Sequence, residues 1–373
     1  MATTTIATDR TALAAWLACE DDARLEELWA AADAVRREHV GDEVHLRGLI
    51  EISNHCVRQC AYCGLAGSRA RESADPLPRY RLTHDEILAC ALQAREYGYG
   101  TVVLQGGEDY GLTSDWVAGV VRAIKGETGL SVTLSLGERR DDELQAWRAA
   151  GADRYLLRFE TSNRELYRRI HPDLGSEVSD RLALLTRLRG FGYEIGTGIM
   201  AGIPGQTFAD LLNDLETFRT LDPDMIGIGP YLPHPRTPLG REAIGIFADT
   251  TGQVPSSERM TCILVALTRL VCPEANLPAT TALATINKRD GRENGLRRGA
   301  NVLMPNLTPV QYRALYEIYP AKACVDETAE QCHGCLDGRI RALGRVPGRG
   351  PGSRRRTLAT ALAAQQTMHG GTP

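Results

Sequence analysis

An α/β fold is predicted for this chain: a (β/α)8 barrel of TIM type with N-terminal helices and a C-terminal extension. Three observations predict it. Apolar, β-branched stretches alternate with amphipathic helical patterns roughly 20 to 40 residues apart, which implies parallel strands joined by crossover helices. Eight candidate strands can be read along the chain, the number that closes such a barrel. The unusual residues (clustered cysteines, paired glycines, isolated acids) follow directly after strands, at the end of a barrel where chemistry belongs. An open doubly wound sheet is the competing arrangement. The 373 residues exceed the ~250 of a simple barrel, and the chain divides into a helical segment 1–42, a barrel 43–310 and an extension 311–373.

The elements follow in order. Leu13, Trp16, Leu17, Leu25, Leu28, Trp29 and Val35 recur at helical spacing and predict helix over 12–38. Strands are expected at Val44–Ile52, Thr101–Gln105, Ser131–Leu136, Arg154–Arg158, Glu194–Ile199 and Met225–Gly229, with weaker candidates at Leu277–Leu283 and Ala300–Met304. Helical patterns occupy 84–97, 114–125, 141–149, 163–170, 177–190, 207–221 and 256–271. Thr83 with Glu86 makes a capping box, and Ser114 or Asp115 is expected to cap the next helix. The segment Gly64–Pro78 reads as a lid or partner contact, and the arginine-rich tail from Gly344 as an extended, partly disordered arm.

Composition excludes several classes. A formal net charge of −4 gives no basic footprint for nucleic acid. The longest apolar runs fall far short of the ~20 residues that cross a bilayer. The first residues hold no basic segment leading into an apolar run, so a cytoplasmic protein without a membrane or nucleic-acid partner is expected. In a reducing compartment ten cysteines point to metal or catalysis rather than to disulfides. Cys19, Cys90, Cys262 and Cys272 are scattered and read as small buried hydrophobes. The other six form two trios.

Cys56, Cys60 and Cys63 stand in a C-x3-C-x2-C pattern just after the first strand. An iron–sulfur cluster normally takes four cysteines, so three local ones leave one iron open to a further ligand. A zinc site completed by His55 is the alternative, though His55 adjoins Cys56. Gly106 and Gly107 follow the second strand and allow close backbone approach to a ligand, with Glu108 able to accept from an ammonium group. Ser135 and Glu138 follow the third strand and Glu160 the fourth. A glycine-rich run, 196–207, follows the fifth. Arg181 opens a helix and offers a planar fork to a carboxylate.

The C-x3-C-x-aromatic-C loop, with these post-strand segments, resembles the radical S-adenosylmethionine (SAM) enzymes. The resemblance implies a [4Fe–4S] cluster on Cys56, Cys60 and Cys63 and reductive cleavage of SAM to a 5′-deoxyadenosyl radical. It also implies SAM contacts at Tyr62, Gly106, Gly107, Glu108, Ser135, Glu160, Arg181, Gly202 and Ile228. Over 40–356, the runs Thr101–Asp109, Val132–Glu138, Ala152–Thr161, Gly198–Thr207, Gly227–Leu239, Leu277–Ala282 and Arg298–Asn306 resemble the family of maturases that help build the active-site cluster of FeFe hydrogenases. That resemblance implies a small sulfur- and iron-containing substrate at Thr133, Arg158, Thr280, Thr281, Met304 and Tyr312. It implies as partners a second radical SAM maturase, a GTPase scaffold and an external electron donor. Cys324, Cys332 and Cys335 resemble an accessory site for a second iron–sulfur cluster; zinc with His333 competes for it. No predicted strand contains a cysteine, which disfavours sulfur insertion from a cluster inside the barrel. A mutase acting on a free amino acid, of the methylornithine-synthase kind, and a non-catalytic metal-stabilised barrel stay open.

Overall fold

A computed structural model describes residues 6–67, 77–175, 178–241, 252–325 and 327–355. Its sheet consists of parallel strands β1 (Glu43–Ser53), β2 (Thr101–Gly106), β3 (Ser131–Ser135), β4 (Arg154–Leu156), β5 (Glu194–Ala201), β6 (Met225–Pro230), β7 (Val302–Leu303) and β8 (Val346–Pro347). The order is β6-β5-β4-β3-β2-β1-β7, with β8 paired to β1 below. Isolated parallel bridges Met225 to Asn276, Ile228 to Ala279 and Pro278 to Val302 carry the sheet round from β6 to β7, so the open-sheet alternative is not adopted. Near-continuous burial along β1, β5 and β6 is what parallel strands covered on both faces require.

The two weaker strand candidates shrink. The expected strand Leu277–Leu283 yields only those bridges, because the Thr280 hydroxyl accepts from Leu283 N–H and starts the helix Thr281–Ile286. The expected Ala300–Met304 keeps Val302–Leu303 alone. The expected N-terminal helix is broken in two, Arg10–Leu17 and Asp22–Val40, where the Asp21 side chain caps the second by accepting from Ala23 and Arg24 N–H. The Thr83/Glu86 capping box is present, whereas Thr113, one residue before the expected Ser114, caps the helix Ser114–Thr128. The helix Ala329–Ala342 was not expected, although its Thr328/Gln331 capping box is readable in the chain.

Cys19, Cys90, Cys262 and Cys272 are buried hydrophobes in the core. No helix among the described residues is long and apolar enough to cross a membrane. The tail is no loose arm as far as Arg355: it threads beneath the barrel. The carbonyl of Pro351 accepts from Arg154 and Thr101, that of Gly352 from Arg47 and Asn276, and Arg354 pairs with Asp222. Residues 356–373 and 68–76 of the expected lid lie outside the described residues. The chain thus closes the amino-terminal end of the barrel and leaves the other end for function.

Candidate active site

The first cysteine loop leaves β1 through Asn54, whose amide donates to the carbonyls of Pro78 and Leu315 at 2.8 Å each and whose oxygen accepts from Tyr80 N–H at 2.7 Å. Val57 N–H donates to Glu108 O, Ala61 N–H to Ile170 O and Gly64 N–H to Ile318 O. The loop is therefore tied to the post-β2 turn, to the helix Arg164–Ile170 and to the C-terminal extension. Two glycines permit this approach. A Cβ on Gly107 would lie 2.1 Å from His55 O, and one on Gly64 would lie 1.6 Å from Glu317 O. Ala61 and Tyr62 pack against an apolar cluster of Leu166, Ile170, Met200, Ile203, Tyr231 and Leu239.

Cys60 is buried, and Cys56 and Cys63 are half-buried. Burial raises the Cys56 and Cys60 thiols, and the nearby thiols of Cys63 and Cys56 push Cys60 up further. Such a set is held as thiolates by an added positive centre. Among the described residues, no three His, Cys, Asp or Glu side chains gather as ligands of a single ion. Three thiols on one pinned loop, Cys60 acted on by both others, fit a polynuclear iron–sulfur cluster with one iron left to another ligand.

Beneath the loop runs a buried charge network. Arg58, between the cysteines, donates through Nε to Glu108 Oε1 at 2.7 Å and faces Glu138 at 3.2 Å. Burial opposes its charge, but Glu108 and Glu138 raise its pKa overall. Glu108 also accepts from Glu138 N–H at 2.9 Å and Tyr110 OH at 3.1 Å, and burial raises its pKa in spite of Arg58. Its carboxylate is thus occupied by the chain, differently from the ammonium acceptor expected of it. Arg181 donates to Glu138 at 3.0 Å, to Arg158 O at 2.7 Å and to His171 Nε2 at 2.7 Å. Burial, then Arg181, lowers His171 to about 2, so its ring is neutral.

Above lies a cavity of about 270 Å3 within the barrel mouth. Of the expected SAM residues, Tyr62, Gly106, Ser135 and Glu160 line it, as does Cys63. Gly107, Glu108 and Arg181 stand behind this wall, Gly107 against His55 and the two charged side chains in the network. Gly202 N–H donates to Gln206, and the Ile228 carbonyl accepts from Thr280. Of the expected substrate residues, Arg158, Thr280, Thr281 and Met304 line the cavity. Thr133 is fully buried in β3. Tyr312 gives its hydroxyl to Glu86 and stacks on Tyr80. Sequence reasoning missed Glu51, Gln105, Tyr316, Tyr319 and Lys322 in the same wall. Lys322 donates to Glu51 at 2.8 Å and Asn306 to Glu51 at 3.1 Å.

Glu160 has φ +63°, a left-handed backbone that only surrounding structure can hold. Its Oε2 lies 3.1 Å from Arg158 Nη2, outside good hydrogen-bond alignment. The turn is clamped by the helix Phe208–Leu221: Asp214 Oδ1 accepts from Ser162 N–H and Oγ at 2.6 Å each, and Asp210 from Asn163 at 2.9 Å. Burial raises Asp214 from 3.8 to about 7. Below the unfolded pKa both states hold the proton. Above it the unfolded chain loses a proton that the folded chain keeps, so stability falls as pH rises and levels off beyond about 7, a penalty of a few kcal/mol. Asp214→Asn keeps the acceptor and removes the titration. Its thermal midpoint is expected to match the parent at pH 4 and exceed it at pH 8; a pH-independent difference contradicts this.

The second trio borders one chamber beside the barrel. Arg292 donates to Cys324 Sγ at 3.0 Å. A hydrogen bond from Cys332 lowers the Cys324 thiol to about 6 and raises Cys332, while Cys335 is exposed. His333 instead stacks on Tyr97 and faces Tyr99.

Comparison with known proteins adds the following. A profile of the radical SAM superfamily matches residues 50–218. The chain is 47% identical to the [FeFe] hydrogenase maturase subunit HydE of Thermotoga maritima, covering 90% of each protein. It is 29% identical to 3-methylornithine synthase of Methanosarcina acetivorans, over 78% of this chain and 77% of that one. The crystal structure of methylornithine synthase (PylB) superposes with a TM-score of 0.76 at 25% identity, covering 92% of this chain and 94% of the other.

Proposed function

The chain belongs to the radical SAM superfamily, within the family of the HydE maturase, and from that premise we propose that Cys56, Cys60 and Cys63 hold a [4Fe–4S] cluster facing SAM in the barrel mouth. The enzyme acts in assembly of the FeFe-hydrogenase active-site cluster, alongside other maturases. When bound, the cluster and SAM supply one-electron cleavage of the sulfonium to a 5′-deoxyadenosyl radical.

The chain's own residues do the rest. Tyr62 and Gly106 present backbone and a flat ring to the nucleotide. Ser135 and Glu160 offer polar groups on the same side. Arg181 and Arg58 brace the wall from behind through Glu138 and Glu108. Deeper in the cavity, Arg158 suits an anionic sulfur- and iron-containing substrate, with Thr280 and Thr281 as hydroxyl partners and Met304 as apolar wall. Cys324, Cys332 and Cys335, with Arg292 on the sulfur, suit a second iron–sulfur cluster. A second radical SAM maturase, a GTPase scaffold and an external electron donor complete the reading.

The observation that carries it is one pinned loop of three thiols, with Cys60 acted on by both others and Cys63 lining the cavity. A free amino acid would need an ammonium partner, but the two carboxylates in the described cavity wall, Glu51 and Glu160, already face Lys322 and Arg158. In a reconstituted hydrogenase maturation mixture, omission of this protein is expected to leave the hydrogenase inactive and its addition to restore activity. Full activity without it refutes the reading, as does failure of the added protein to restore it.

A further inference from the structure

We propose that the chamber bordered by Cys324, Cys332 and Cys335 is a side entrance to the barrel cavity, admitting a small anionic metal complex with affinity for thiols. The cargo class rests on the function proposed above; the route itself rests on the shape and charge of the chamber.

The outer chamber encloses about 600 Å3, against about 270 Å3 inside the barrel. The two share one wall: Arg292, Lys322, Ala323 and Cys324 border both. Tyr62, Cys63 and Gly106 border the cavity on the side proposed for SAM, and Tyr316, Ile318 and Tyr319 also line it. With a nucleotide seated on that side, the shared wall offers a second route to the cavity.

That wall has the features of a gate. Ala321 and Cys324 have φ of +55° and +62°, strained values for residues with a Cβ, so the segment between them is held by its contacts rather than by its own preference. Among the described residues its contacts include Lys322 to Glu51 and to Tyr316 O, Ala323 N–H to Thr285 Oγ1 at 3.0 Å, and Cys324 to Arg292 through its sulfur and to Arg313 through its carbonyl. The Lys322–Glu51 ion pair is the charged anchor of this segment on the barrel side.

The chamber is also charged for such a cargo. Lys288, Arg292 and Arg339 line it against Glu327, and Arg339 is paired with Glu293. Lys288 is exposed and unassigned to any part of the site above. A cationic approach lined by cysteine sulfur suits an anionic complex of a soft metal. Arg292, which reaches Cys324 on one side and borders the barrel on the other, spans the wall.

The test uses the holoenzyme with SAM bound and no reductant. Met304→Cys serves as reporter, since Met304 borders the inner cavity but not the outer chamber. Its modification by anionic sulfonatoethyl methanethiosulfonate and by the cationic trimethylammonium counterpart is followed by peptide mass spectrometry. Adding Lys288→Glu is expected to lower the anionic-to-cationic rate ratio at position 304 by about five-fold or more. Labelling should persist with SAM in place. An unchanged ratio, or labelling that SAM abolishes, overturns the side entrance. Thr281→Cys is the second reporter, and absence of labelling at both positions overturns the proposal equally. If SAM does not bind, the proposed function falls while the Lys288 comparison still decides the route.

Discussion

Cys60→Ala is expected to reduce 5′-deoxyadenosine formation at least about 100-fold, to the level of protein without cluster, and to lower iron content at the first site. Cys60 is the buried member of its trio, and both of its neighbours act on its thiol. With three protein ligands, a cluster has no reserve: loss of one leaves two thiolates and two exposed irons. The loop itself should persist, because its ties run through the backbone of Val57, Ala61 and Gly64 rather than through the sulfur. The variant should therefore melt close to the metal-free parent. Anaerobic reconstitution, iron analysis and product chromatography test this, and a variant with parental yield would refute it.

Arg58→Met is expected to be the most destabilising single change in the network. The Arg58 side chain is 4% exposed and that of Glu108 2%, so removal of the guanidinium leaves a buried carboxylate without its cation. Breaking a buried pair in this way costs about 3–5 kcal/mol. For a chain of this size that lowers the thermal midpoint by roughly 5 °C. Loss of Arg58 would push the Glu108 pKa up further, since burial already raises it. The double variant Arg58→Met/Glu108→Met should recover much of the loss, because the uncompensated charge goes with it. A single variant that melts with the parent, or a double that melts no higher than the single, contradicts the account.

The legible parts of this molecule were those encoded locally. Strand and helix periodicity placed six main strands and most of the helices, and three cysteines within eight residues announced a ligand set without help from the fold. Pairings across long separations were not readable. Lys322 and Glu51 meet across 271 residues, and a lysine in an extension gives no sign that it will be buried inside a barrel. Glu108 was read as a ligand group from its glycine-rich neighbours, but Arg58, which looks like any solvated loop arginine, folds back onto it. Tyr312 was expected in the cavity where Tyr316 and Tyr319 stand: the helix Val310–Arg313 turns the first tyrosine towards Tyr80 and the chain beyond brings the later ones inward. The tail looked disordered because glycine, proline and arginine give no periodicity, yet its carbonyls and arginines find partners beneath the barrel.

The most direct measurement is the low-temperature electron paramagnetic resonance spectrum of the anaerobically reconstituted, dithionite-reduced protein, recorded with and without SAM. A reduced [4Fe–4S] signal that changes on adding SAM is the predicted result, since the fourth iron then gains a new ligand. A signal indifferent to SAM, or no such signal from protein reconstituted with iron and sulfide, would contradict the claim that this loop holds a cluster with an open corner.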